Sequence, residues 1–140
     1  MAISTTQSEL RRVAPSALEW IRTFMLVQAA TFLLAATVHF GVLIQGYEHL
    51  QAGVAETVIA AVLLAGLIGT WVRPVALRGI GLAAQGFALA GTLVGLFTIA
   101  IGIGPRTVPD LAIHAVMVAE LVAGLTVAYR GHVDRVRSSA

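Results

Sequence analysis

Four apolar runs fill most of this 140-residue chain, at 21–45, 51–72, 79–102 and 111–129. Each is near the roughly 20 residues that a helix needs to cross a hydrocarbon core about 30 Å thick. In lipid every backbone N–H and C=O must find its partner within the protein, so runs of this length can only be α-helices. The connections are short, which makes successive helices antiparallel neighbours. The expected fold is therefore all-α: a single-domain integral membrane four-helix bundle with up-down-up-down order. With 58% hydrophobic and only 11% charged residues, a soluble domain of this size could not cover its apolar surface. A cleaved signal peptide does not account for the first run, which is too long and has no well-placed small-residue cleavage motif.

Charge sets the expected orientation. Arg11, Arg12, Arg22, Arg73, Arg78, Arg130, Arg135 and Arg137 fall at one set of helix ends, and only Arg106 falls at the other. The positive-inside rule then puts both termini in the cytoplasm of a multi-pass protein in a bacterial inner membrane. All the basic residues are arginine and none is lysine, a bias that suggests GC-rich bacterial coding. The pI of about 9.9 reflects a net charge of only +2 on arginines that flank the spans, so it points to topology and not to nucleic acid. The absence of cysteine excludes disulfides, thiolate metal sites, iron–sulfur clusters and covalently attached c-type haem. No phosphate-cradling glycine loop, serine–histidine–acid set or selectivity-filter motif is present.

Local signals place the elements. Ser16-Ala17-Leu18-Glu19 after Pro15 is a capping box, so the first helix is expected over 16–44, with Trp20 at the headgroup level. A second helix is expected over 50–72, followed by a tight turn from Arg73 to Arg78. The third is expected over 79–102. A break over 104–110 lets Thr107 or Asp110 cap the fourth helix, expected over 111–129 and followed by a polar tail. Because lipid is as apolar as leucine, such helices associate by close packing. Ala61, Ala65 and Gly69 on the second helix, with Gly91 and Gly95 on the third, supply small residues for packing within the chain or for a homo-oligomer.

Projection at 100° per residue sorts the polar groups. Gln28, Phe32, Ala35 and His39 share one stripe; Glu56, Ala60, Leu63, Leu67 and Thr70 share another. Gln85 aligns with Thr92, Leu96 and Ile99. His114, Met117, Glu120, Leu121, Gly124 and Ala128 face one way, while Ala115, Ala119, Val122 and Thr126 suit lipid. At 1.5 Å per residue, His39 should lie roughly 9 Å inside its helix end, and Glu56 and His114 about 6 Å. Two imidazoles and a carboxylate at similar depth form a ligand set for Fe, Zn or Mn. His49 and Met117 are additional donors, the latter suited to Cu. The alternative is a hydrogen-bonded polar layer that locks the helices together. His132, in the tail, is an ordinary polar residue.

A b-type haem competes with the simple metal ion. His39 and His114 would be its axial ligands, with Ala35, Ala36 and Gly41 leaving space for the ring. Glu56 would repel the propionates, for which Arg106 is the single partner. Glu120 stands at mid-helix, where an ionised carboxylate is costly. It must therefore be protonated or meet Gln28, Gln85 or Thr92, as a proton-handling or quinone-contacting group or as a neutral structural acid.

Val38-His39-Phe40 near the end of the first helix and Ala55-Glu56 near the start of the second resemble small four-helix DoxX-type bacterial membrane proteins. The resemblance implies a redox-associated or accessory membrane subunit, and it transfers no functional residue. Three functional expectations follow. The first is a redox-associated protein with a metal or haem site at His39, Glu56 and His114. The second is a non-catalytic accessory subunit, or a lipid- or quinone-binding protein, packed against a larger membrane complex. The third is a small transporter or channel, for which Glu120, Gln28 and Gln85 supply fragments of a polar path.

Overall fold

A computed structural model describes the backbone of residues 17–138 and the side chains of 18–130. The Ser16 cap and the side chains of Arg11, Arg12, His132, Arg135 and Arg137 lie outside these described residues. The chain forms α1 (Ala17–His39), α2 (Leu50–Val72), a short 3-10 turn (Pro74–Ala76), α3 (Leu77–Ala100) and α4 (Val108–Ser138). α1 packs against α2 and α4, α3 packs against the same two, and α1 meets α3 across the diagonal. All four helices are long and apolar enough to cross a membrane, which makes this a multi-pass membrane protein whose outer faces meet lipid.

The period-3.6 stripes describe the interior well. Gln28, Phe32, Ala35, His39, Glu56, Ala60, Leu63, Thr70, Gln85, Thr92, Ile99, His114, Met117 and Leu121 are all buried. Ala115, Ala119, Val122 and Thr126 are exposed on the outer face. The small-residue expectation needs correction on α2, where Ala61 and Ala65 are exposed. The close approach on α2 is made instead at Gly66, next to Ala65, while on α3 it is made at Gly81 and at the expected Gly91. A Cβ on Gly66 would stand 2.8 Å from Ala84 Cβ, one on Gly81 2.7 Å from Ile21, and one on Gly91 2.8 Å from Ile59.

The helix ends also shift from the sequence expectation. α1 stops at His39 and does not run on to residue 44, because Gly41 takes φ +70° and closes a Schellman motif. Val42 N–H donates to Thr37 O at 2.9 Å and Gly41 N–H to Val38 O at 2.9 Å. Gly102, at φ +88°, ends α3 in the same way, with Ile103 N–H on Thr98 O at 2.9 Å and Gly102 N–H on Ile99 O at 3.2 Å. α3 begins at Leu77 because the 3-10 turn opened by Pro74 feeds straight into it. α4 runs past the expected 129 to Ser138, since a lone Gly131 weakens a helix without breaking it.

α4 starts at Val108, three residues early, because Thr107 and Asp110 cap it together. Thr107 N–H donates to Asp110 Oδ2 at 3.2 Å, Asp110 N–H donates to Thr107 Oγ1 at 3.3 Å, and the Thr107 hydroxyl also donates to Oδ2. This is a capping box with aspartate in the third position. Thr107→Ala is expected to cost about 0.5–2 kcal/mol, measured by reversible unfolding in mixed micelles. An effect indistinguishable from zero would mean that the cap contributes nothing to the native state.

Three arginines bind helix backbone carbonyls. Arg22 donates to Thr70 O at 2.9 Å and stacks on Trp71 with its guanidinium 3.9 Å from the ring centre. Arg78 donates to Ala128 O at 2.7 Å. Arg106 donates to Ile99 O and Ala100 O, both at 2.9 Å. In the 40–49 loop, Gly46 N–H donates to both carboxylate oxygens of Glu48. That bond, with the residue's own backbone N–H, holds the Glu48 carboxyl below the usual carboxylate range.

Candidate functional site

The C-terminal ends of α1 and α3 and the N-terminal ends of α2 and α4 meet at one end of the bundle. His39, the last residue of α1, therefore sits at the helix terminus and not 9 Å inside it. It still shares a layer with Glu56 and His114, as the sequence led us to expect. His39 Nδ1 lies 2.7 Å from Glu56 Oε2 on α2, and Nε2 lies 3.3 Å from Asp110 Oδ1 on α4. All three side chains are buried. An imidazole thus bridges two carboxyl groups and ties three helices.

Proton counting constrains this triad. Both contacts can be hydrogen bonds if His39 is an imidazolium between two carboxylates, or a neutral imidazole with one carboxyl protonated. Each arrangement holds two protons and carries one net negative charge. These states are tautomers of one another, so the network keeps its charge wherever the protons sit.

Asp110 is the member that sequence reasoning missed, having been assigned only to a helix cap. It serves both purposes, with Oδ2 on Thr107 and Oδ1 toward His39. The available signal was its spacing from His114, one turn on along the same face of α4. His114 does not join the triad by its side chain. Its Nδ1 lies 2.7 Å from Asp110 O in the turn before it, and that carbonyl can only accept, so Nδ1 carries the proton and Nε2 is left as an acceptor. Nε2 faces α3, where a Cβ on Gly95 would stand 3.3 Å away.

His49 is the N-cap of α2. Its Nδ1 accepts from Ala52 N–H at 3.2 Å, which leaves Nε2 as the protonated nitrogen, and its ring stands edge-on to His39 at 6.4 Å. Beside these groups lies a partly open cavity of about 200 Å³, lined by residues of all four helices and of the 103–105 loop. Phe32, Ile59 and Met117 supply apolar walls, and Glu56, His49 and His114 supply the polar ones. Glu56 Oε1 is buried and has no hydrogen-bond partner.

The metal and haem expectations do not gain support from this geometry. Both ring nitrogens of His39 face carboxyl oxygens, which leaves none for a metal. Among the described residues, no group of three or more His, Cys, Asp or Glu is arranged to hold a metal ion. Arg106 is committed to the end of α3 and is not held out for a propionate.

A second polar cluster lies deeper. Gln28 Nε2 donates to Gln85 Oε1 at 3.0 Å and to the backbone carbonyl of Glu120 at 2.9 Å. Of the two alternatives for the Glu120 carboxyl, protonation or a bond to Gln28, Gln85 or Thr92, the second is not seen. Thr31 donates to Glu120 Oε1 at 3.3 Å, while Thr92 bonds Ala88 O in its own helix. The reason is Gly124, whose missing side chain lets the glutamine pair reach the α4 backbone. A Cβ there would stand 2.6 Å from Gln28 Nε2 and overlap Gln85 Oε1. Gln85 Nε2 donates to Gly81 O at 3.0 Å, and Gln28 Oε1 is buried without a partner. Comparisons with protein-family models, curated proteins and solved structures found no significant match.

Proposed function

We propose that the protein binds a small, largely apolar molecule with a hydrogen-bonding oxygen, of the quinone-head or monocyclic-phenol class, at the outward end of a bacterial inner-membrane bundle. The observation that carries this reading is the orphaned Glu56 Oε1 beside an otherwise mostly apolar cavity. A buried carboxyl oxygen without a partner is costly, and a ligand hydroxyl would satisfy it. Size agrees with the class, because a cavity of about 150 Å³ takes up benzene and this one is about 200 Å³. His114 Nε2 and His49 Nε2–H offer one acceptor and one donor for the ligand's polar end. Outward placement, with both termini cytoplasmic, is supported by Arg73 and Arg78 at the opposite end of the bundle and by Arg106 alone at this end.

Titration of a short-chain benzoquinol into protein in lipid nanodiscs tests the reading, with empty nanodiscs as the partition control. The wild type is expected to bind above that background. Glu56→Gln is expected to weaken binding about tenfold or more, the equivalent of one hydrogen bond to a charged or strongly polar group. Uptake equal to that of empty nanodiscs would sink the proposal.

A further inference from the structure

The two cavities at this end of the bundle do not share their acidic residues. Glu56 lines the partly open cavity described above. His39 and Asp110 line a separate groove of about 340 Å³ between α1, α4 and the 40–49 loop, beside Tyr47 and Ile44. The wall between the two spaces is the Glu56–His39–Asp110 triad itself, with contacts of 2.7 and 3.3 Å. His39 is its centre, with one nitrogen toward each carboxyl.

We propose that this triad is a proton relay connecting the cavity beside Glu56 to the α1–α4 groove. A proton arriving at Glu56 leaves Oε2 for His39 Nδ1, while the proton on Nε2 passes to Asp110 Oδ1. Before the step, Glu56 is protonated, Nε2 carries the ring proton and Asp110 is a carboxylate. After it, Glu56 is a carboxylate, Nδ1 carries the ring proton and Asp110 is protonated. The count of two protons and the single negative charge are unchanged, so no charge is created in the low-dielectric interior, where it would be expensive. Asp110 then gives up its proton at the groove as another enters at Glu56 Oε1, so the network again holds two protons and one negative charge.

The surroundings favour transfer over a fixed salt bridge. The described ionisable groups near His39 are Glu56 on α2, Asp110 on α4, Tyr47 in the groove, His49 at a ring distance of 6.4 Å, and His114 through the Asp110 carbonyl. α3 contributes none. No arginine reaches either carboxyl among the described residues, since Arg106 is held by Ile99 O and Ala100 O. The Glu56 oxygen that does not face His39 is the unpartnered Oε1, the atom at which a proton would enter. The relay rests on the binding proposal only for the molecule that delivers the proton.

Nitrogen NMR of histidine-labelled protein in nanodiscs, without added ligand, tests it. His39 is expected to show both ring nitrogens at positions averaged between the protonated and bare states, with exchange between the two tautomers. Asp110→Asn and Glu56→Gln each remove one terminal site. Both are expected to abolish the averaging, leaving one fixed tautomer, while the His49 and His114 signals persist as a check on folding. A wild-type His39 in one static protonation state, unchanged in both variants, would overturn the relay. The sample contains no quinol, so this outcome is independent of the titration. Averaged signals would support the relay even where the titration had failed.

Discussion

In a His39→Ala variant, the bundle is expected to lose about 3–5 kcal/mol, the range found when one partner of a buried ion pair is removed. The imidazole is 2% exposed and bonds a carboxyl on each side. Its loss leaves Glu56 and Asp110 facing a void, with Glu56 keeping no partner for either carboxyl oxygen. Reversible unfolding in mixed micelles measures the loss, and a change under about 1 kcal/mol would contradict the buried triad. Adding Glu56→Leu to His39→Ala is expected to restore part of the stability, because the orphaned acid goes with its partner. The double-mutant cycle gives the coupling directly.

Gly124→Ala is the second large effect. The added methyl would stand 2.6 Å from Gln28 Nε2 and in the space held by Gln85 Oε1, and both glutamines are fully buried. Overpacking costs about 1–3 kcal/mol. If the pair is pushed apart, each buried amide group left without a partner costs about 1–3 kcal/mol more. The same unfolding experiment is expected to show a combined loss of at least about 2 kcal/mol. Gly79→Ala is the control, because nothing lies within 4 Å of a Cβ there and helix propensity alone favours alanine. Equal effects in the two variants would show that close packing at Gly124 does not matter. Shortening Gln85 to Ala in the Gly124→Ala background is expected to recover part of the loss by returning the space.

The site was legible to the extent that its parts lie on single helices. His39 falls on a stripe with Gln28 and Phe32, and Glu56 on one with Ala60 and Leu63, because side-chain direction along a helix follows from its 100° step. Those stripes are the buried ones. Asp110 was overlooked because its local pattern, Thr107 followed three residues later by an acid, already explains it as a cap. A residue with a sufficient local role gives no sequence sign that its second oxygen reaches another helix. The metal set gained no support for a related reason. Common depth made His39, Glu56 and His114 look convergent, but depth does not say which atoms meet. His39 meets two acids, and His114 turns toward Gly95.

Several features belong to the chain alone. The four spans, their antiparallel order and their inward faces follow from run length, loop length and periodicity, all of which act within one helix or one turn. The glycine stops at Gly41 and Gly102 are equally local, since a positive φ is set by the backbone of a single residue. The tertiary structure alone decided that the imidazole of His39 joins Glu56 to Asp110, that Gly124 rather than Ala61 or Ala65 marks a close approach, and that a cavity remains beside Glu56. Those depend on how far apart two helices sit and in what register. That separation is set by the sum of many small contacts between side chains distant in sequence, and no single segment carries it.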